Sequence, residues 1–205
     1  HEIRNPLAAI SHAAELLREE KRADDRERLT HIINDNTRRL DRLVSDVLQL
    51  SRRDRMAAEP IRLVPWLTDF VAEFVANESV PRERFAIDAK EDPRVRFDRE
   101  HLRQVMWNLL KNAVRYAPAQ PGSVRLVLRR YADGVELGIL DDGPGVPGAI
   151  QGQLFEPFFT TEAKGTGLGL YLARELSAAN RATLEYVDDA PGAHFRIVWR
   201  EARAA

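Results

Sequence analysis

The chain has no cysteine, which excludes a disulfide framework and a thiolate metal site and fits a reducing compartment. No apolar run approaches the roughly 18 residues that cross a bilayer, and no charged-then-apolar leader is present, so the polypeptide is expected to be soluble by itself. The formal net charge is −1, with 31 Lys and Arg interspersed among 32 Asp and Glu, so no massed basic face exists and nucleic acid is not an expected partner. Residues 1–54 contain no glycine and only one proline, Pro6, which excludes a turn-rich module there and leaves long helices.

From Leu29 the positions Leu29, Ile32, Asn36, Leu40, Leu43, Val47 and Leu50 recur at steps of three or four, as a helix-packing seam does. Leu7, Ile10, Ala14 and Leu17 make a shorter stripe, and residues 19–28 read as a charged connector without apolar content. Residues 1–56 therefore form a helical hairpin. Two helices enclose no core whereas four from two chains do, so a homodimeric four-helix bundle is the economical arrangement, and a hairpin packed on its own chain's second domain is the alternative. Residues 57–60 read as a linker and 61–205 as a second domain.

In that domain Pro65 suits the first turn of a helix over 66–76, and 84–89 and 94–97 read as strands. Asp98 caps a helix that carries Leu102, Val105, Met106, Leu109, Leu110 and Ala113 on its buried face. Strands at 123–131 and 135–140 flank an Asp133-Gly134 turn. Residues 143–166 lack periodicity and read as a lid, 167–180 as a helix, and 182–187 and 193–199 as closing strands. The fold class expected is α+β, a dimer-forming helical hairpin followed by an α/β sandwich.

Three blocks carry chemistry. Gly165, Gly167 and Gly169 let backbone N–H groups approach phosphate oxygens, and the helix that begins near Leu168 favours an anion at its N-terminus; tight helix-to-sheet packing is the plainer use of the same glycines. Asp141 ends a strand ahead of Gly143 and Gly145, where a carboxylate can accept from an exocyclic amine such as that of adenine, although an ordinary turn looks the same by itself. Asn108 and Asn112 stand four apart on the polar face of their helix, and their amide oxygens suit a hard cation, magnesium. Lys111 and Arg115 add phosphate-compatible charge on that side, with Tyr116 next in the helix. Thr160, Thr161 and Lys164 are candidate lid contacts to phosphate, and Phe155, Phe158 and Phe159 either anchor the lid or belong to the core. Together the blocks point to ATP with magnesium.

His1-Glu2-Ile3-Arg4-Asn5-Pro6-Leu7, the run from Asn108 to Asn112, Asp141 to Gly145, Leu154 to Phe159, and Gly165-Thr166-Gly167-Leu168-Gly169 resemble, in this order, the phosphoacceptor, asparagine, first glycine, phenylalanine and second glycine boxes of bacterial sensor histidine kinases. The resemblance spans essentially the whole chain. It implies a dimeric phosphotransfer hairpin and the Bergerat-type ATP-binding sandwich shared with type II topoisomerases, heat-shock chaperones and mismatch-repair ATPases. It makes His1 the phosphoacceptor, Glu2 the base that orients the imidazole and takes its proton, and Asn5 the residue that positions water for dephosphorylating a partner regulator. The implied partner is an aspartate of a response-regulator receiver domain. The run from Phe158 to Glu162 and the glycine block after it are closest to kinases of the nitrogen-regulation and pilus-regulation type. Where the ATPase relatives place a general-base glutamate this chain has Asn108, whose amide takes no proton, so ATP is expected to be kept for another acceptor. Asp142 stands where asparagine is common in the family.

Neutral imidazole has an unperturbed pKa of about 6.5 and so presents a free ring nitrogen near neutral pH. In the family the acceptor sits well inside its helix, so the chain is expected to be a fragment, the cytoplasmic portion of an inner-membrane sensor that meets the membrane only through upstream segments. Pro6 is expected to bend the helix. His12, His31, His101 and His194 lack the acceptor's context and read as surface or packing residues. Two readings of other classes compete. An ATPase is disfavoured by Asn108, and a pure dimerisation and regulator-docking module is disfavoured by the intact glycine blocks.

Overall fold

The computed structural model describes residues 3–52, 56–162, 165–189 and 191–200, with the side chains of 49–52 excepted. Helices α1 (Arg4–Glu19) and α2 (Ala23–Arg52) pack as a hairpin. Its connector is shorter than the sequence predicts. Only residues 20–22 lie outside helices, because Asp24 and Asp25 occupy the first turn of α2, where the helix dipole favours acids. Arg26 Nη1 then donates to the Leu17 and Glu20 carbonyls at 3.0 and 3.1 Å, closing the end of α1 with a cation. Pro6 falls in the first described turn of α1, and the carbonyl four residues before it, that of Glu2, lies outside the described residues. Pro6, Ala13 and Leu43 are buried, while Leu7, Leu16, Ile32, Val44, Val47 and Leu48 stay exposed.

The second unit is a two-layer sandwich. A five-stranded sheet has the order β2 (Phe85–Ala89), β4 (Val124–Tyr131), β5 (Gly134–Asp141), β7 (His194–Arg200), β6 (Ala182–Val187). The β2–β4 pair is parallel and the others are antiparallel. Alternate strand residues such as Leu126, Leu137, Ile139, Leu184 and Ile197 join one core with the apolar faces of α3 (Leu63–Glu78), α4 (Arg99–Tyr116) and α6 (Gly169–Ala179). The other sheet face is charged and laced by Arg196–Glu185 at 2.8 Å and Arg129–Asp88 at 2.9 Å. All six apolar residues assigned to the buried face of α4 are buried.

In the second unit two element starts differ from the sequence prediction by more than two residues. Helix α3 begins at Leu63 rather than 66 because Asp92, far along the chain, accepts from Val64 N–H at 3.0 Å and substitutes for the missing local cap. Strand β1 (Ala58–Arg62) takes up residues 58–60 of the expected linker and pairs antiparallel with β3 (Arg94–Asp98). Pro60, the last residue of that expected linker, is tolerated in the strand because this two-stranded sheet has only edges. The Asp98 carboxylate caps α4 through Glu100 N–H and His101 N–H, each at 3.0 Å, and also accepts from Ala57 N–H at 2.8 Å. Among the described residues, no helix is long and apolar enough to cross a membrane.

Candidate functional site

The site is assembled by three elements: the polar side of α4, the end of β5, and the segment that leads into α6. The apolar spacing of α4 buries one side and leaves Asn108 and Asn112 half-buried on the other. Asn108 Nδ2 donates to the Gly169 carbonyl at 3.1 Å, tying α4 to the first residue of α6. With its amide nitrogen so used, Asn108 Oδ1 is left as an acceptor. The Asn112 side chain makes no hydrogen bond among the described residues.

Asp141 closes β5 and is buried. Its Oδ1 accepts from Gly143 N–H at 2.9 Å and Ala193 N–H at 3.2 Å, while Oδ2 accepts nothing among the described residues. Burial pushes its carboxyl above the ordinary carboxylate value; the two backbone donors oppose this and the Asp142 charge adds to it. A largely buried carboxylate with one oxygen free of described protein donors has the character of an acceptor open to a further donor. Gly143 passes so near that a Cβ would meet Asp141 Oδ1 at 2.7 Å and the Tyr116 carbonyl oxygen at 3.0 Å. Tyr116 itself is exposed, and Gly145 takes a φ of +71°.

The segment between β5 and α6 is more ordered than its lack of periodicity predicts. It contains α5 (Gly148–Gln151), and Phe155 packs edge-on to Phe195 at 6.2 Å with the Arg174 guanidinium 5.2 Å from its ring centroid. Phe155 and Phe159 are half-buried, whereas Phe158 is exposed and takes a φ of +67°. Gly167 takes a φ of +69°, and a Cβ there would stand 2.3 Å from the Phe158 carbonyl carbon, so backbone contact holds this position to glycine. Thr160 Oγ1 accepts from Glu162 N–H at 3.1 Å, and Thr161 is exposed beside it. Thr166 Oγ1 accepts from Leu168 N–H at 3.4 Å, Leu168 is buried, and Gly165 N–H reaches the Glu162 carbonyl at 3.3 Å.

Several expected site residues have other engagements. Arg115 Nη1 lies 2.7 Å from Glu162 Oε2, and Lys111 Nζ reaches Glu78 of α3 at 3.3 Å instead of the cleft. Thr166 donates its hydroxyl to Asp46 Oδ2 on α2 at 3.0 Å, so the hairpin does touch its own chain's second domain. Asn5 is exposed on α1; His1, Glu2 and Lys164 lie outside the described residues. Of the remaining histidines, His12 and His31 are exposed, His101 meets Asn180 Nδ2 at 3.0 Å, and His194 is buried with Nδ1 2.8 Å from Asp189 Oδ1. The sequence reading missed Gly192 and Ala193, which clasp Asp141, and Asp46. For Gly192 a signal existed in the Pro191-Gly192 turn pair; for Asp46, one acid in a charged helix, there was none.

Residues 97–203 match the family described as "Histidine kinase-, DNA gyrase B-, and HSP90-like ATPase", and residues 1–55 match the "His Kinase A (phospho-acceptor) domain". The chain is 44% identical to the sensor protein kinase PilS of Pseudomonas aeruginosa over 99% of its own length and 39% of that protein. It is 34% identical to the sensory histidine kinase/phosphatase NtrB of Rhodobacter capsulatus, over 94% of the chain and 57% of NtrB. The chain thus spans between two fifths and three fifths of these relatives. Its fold is that of the Acinetobacter baumannii histidine kinase AdeS, at a TM-score of 0.71, 22% identity and coverage of 98% and 97% of the two chains. A second fold likeness, at a TM-score of 0.74 and 23% identity over 98% of this chain and 59% of that one, is to histidine kinase ThkA in complex with the response regulator protein TrrA. With a phosphoacceptor-type hairpin leading into an ATP-binding sandwich in which α4 contacts both β5, the strand that ends at Asp141, and α6, which follows the glycine-rich segment, this chain belongs to the sensor histidine kinases and is built as their catalytic core.

Proposed function

We propose that the chain binds ATP with magnesium in the cleft between α4 and the segment leading into α6, phosphorylates His1, and passes the phosphoryl group to an aspartate of a response-regulator receiver domain. The observation that carries this reading is the Asn108–Gly169 bond, which joins the asparagine face of α4 to the glycine-rich segment. In this reading Asp141, with Gly143, Gly145 and Tyr116 around it, takes the adenine amine on its free Oδ2. Gly165, Thr166, Gly167, Leu168 and Gly169 cradle the phosphates at the start of α6, aided by Arg115 and by Thr160, Thr161 and Lys164 of the lid. The oxygen donors fit magnesium: Asn108 Oδ1 is left as an acceptor by the bond its nitrogen makes, and Asn112 is uncommitted among the described residues. Bound there, magnesium would neutralise phosphate charge.

The transfer breaks the bond between the γ-phosphorus and its bridging oxygen and forms an N–P bond to the His1 imidazole, whose proton passes to Glu2. Asn108 supports transfer over hydrolysis, because an amide whose nitrogen already serves Gly169 takes no proton from water. Asn5 serves the reverse task, positioning water for dephosphorylation of the regulator, in keeping with the kinase/phosphatase description of the NtrB relative. Residues 1–56 are the dimerisation and phosphotransfer unit and 61–205 the catalytic unit, whose first strand, β1, reaches back into the 57–60 junction. The exposed Val44, Val47 and Leu48 support pairing of two hairpins. We read the whole as the cytoplasmic part of an inner-membrane sensor of the PilS and NtrB type.

The test is incubation with γ-labelled ATP and magnesium, with an acid-lability assay and a His1→Gln control. Acid-labile label that vanishes in the control is the expected result. Steady phosphate release without protein label would replace the kinase reading by an ATPase one.

A further inference from the structure

Two of the chain's own carboxylates occupy groups that a nucleotide's phosphates would take. Glu162 holds Arg115 within the cleft, and Asp46 of α2 holds the Thr166 hydroxyl at 3.0 Å across 120 residues of chain. The second contact joins the phosphotransfer hairpin to the root of the glycine-rich segment, and α2 and α6 are in contact beside it. A threonine hydroxyl has one proton to donate. Thr166 Oγ1 already accepts from Leu168 N–H, so its acceptor side faces the start of α6 and its proton is committed to α2. While Asp46 holds that proton, no phosphate oxygen receives it. Asp46 is half-buried, and burial pushes its carboxyl up against the opposing pull of Thr166 and Arg42, so it is a docked acid and not a solvated one. A carboxylate standing there also repels a polyphosphate entering a partly desolvated cleft.

We propose that Asp46 is an internal competitor of the nucleotide: docking of the hairpin on the glycine-rich segment through Asp46 and Thr166, and binding of phosphates at that segment, exclude each other. The inference rests on reading this cleft as the ATP site. By linkage the two effects are reciprocal, so the docked hairpin weakens ATP binding and ATP loosens the hairpin by the same factor. The acceptor-bearing hairpin is then released toward its working position only when the cleft holds phosphates to transfer. This gives Asp46 a positioning role without contact to the reacting atoms.

The test compares the unaltered chain, Asp46→Ala and, as control for lost charge, Asp41→Ala, an exposed acid on the same helix. Alanine is a strong helix former, so α2 itself is preserved. Affinity is measured calorimetrically for a non-hydrolysable ATP analogue with magnesium and for adenosine, which has no phosphate. Asp46→Ala is expected to tighten the ATP analogue by about five- to tenfold and leave adenosine unchanged, while Asp41→Ala changes neither. Amide hydrogen exchange over residues 40–48 is expected to speed up when the analogue is added to the unaltered chain and to be insensitive to it in Asp46→Ala. Unchanged or weakened analogue binding in Asp46→Ala overturns the proposal alone, as does equal tightening of adenosine. Failure of every protein to bind either probe overturns the nucleotide reading and the proposal with it.

Discussion

Gly192 backs onto Asp141 so closely that a Cβ would stand 1.8 Å from the Asp141 carbonyl oxygen. The contact is part of a two-way clasp. Asp141 N–H donates to the Ala193 carbonyl at 3.0 Å, and Ala193 N–H donates to Asp141 Oδ1 at 3.2 Å. The β6–β7 connection thereby fixes the direction of the Asp141 carboxylate. Gly192→Ala is expected to cost on the order of 1–3 kcal/mol through overpacking, with nucleotide affinity falling alongside. Gly148→Ala, where a Cβ meets nothing within 4 Å, is the control and should alter neither thermal unfolding nor affinity.

Asp141 carries a pH dependence of defined sign. Its folded carboxyl lies above the unfolded reference of 3.8, so the native state holds more protons between the two values. The stability that follows from this is full below the unfolded value and lost as pH rises through the folded one. At neutral pH the buried charge is therefore a cost. Asp141→Asn keeps an acceptor for Gly143 and Ala193 and is expected to melt at an equal or higher temperature at neutral pH, an advantage that shrinks on acidification. Its affinity for ATP should drop by about tenfold or more, since an amide cannot present the same charged acceptor. A lower neutral-pH melting temperature in a thermal series would contradict the argument.

Asn108 and Asn112, one turn apart, are expected to separate in their effects. Asn108→Asp removes the donor to Gly169 and sets a carboxylate against that carbonyl, so α4 and α6 should loosen at a cost of about 1–3 kcal/mol. Asn112→Ala severs no bond among the described residues and should change stability by less than about 0.5 kcal/mol, while reducing magnesium-dependent labelling. Denaturant unfolding of both variants, alongside labelling, checks the split.

Val44, Val47 and Leu48 are 50%, 49% and 52% exposed on one side of α2, a stripe too apolar to leave in water on a hairpin this thin. Val44→Lys with Val47→Lys is expected to shift sedimentation from dimer to monomer and to leave adenosine affinity intact. A pair of lysines without effect on mass would place the dimer seam elsewhere.

The legible parts of this molecule were those governed by neighbours three or four residues away. The stripe from Leu102 to Ala113, the Asp98 cap and the two strands of the β4–β5 hairpin follow from helix and strand periodicity and appear in the fold as their spacing predicts, although the turn falls at Ala132 and Asp133, one residue before the expected Asp133-Gly134, with Gly134 already paired to Tyr131. The two starts of the second unit that lie furthest from their expected positions have distant causes. Asp92 caps α3 from 28 residues away, and β1 exists because β3 is there to pair with Ala58 to Arg62. The charged run before Arg28 gave no apolar signal, yet acids in a first turn and long side chains suit a helix.

The cleft divides in the same way. That Asn108, Asp141 and Gly167 are chemically suited to a nucleotide was readable from residue type and local turn chemistry, because an amide, a carboxylate and a missing Cβ have the same capacities wherever they stand. Which of them touch was decided by packing. Gly169 meets Asn108 from 61 residues away, Gly192 and Ala193 close on Asp141 from about 50, and Thr166 finds Asp46 across 120. Local geometry sets what each side chain is able to do, whereas the burial of the α4 and α6 faces against one sheet sets which proton meets which acceptor, and no spacing along the chain encodes that meeting.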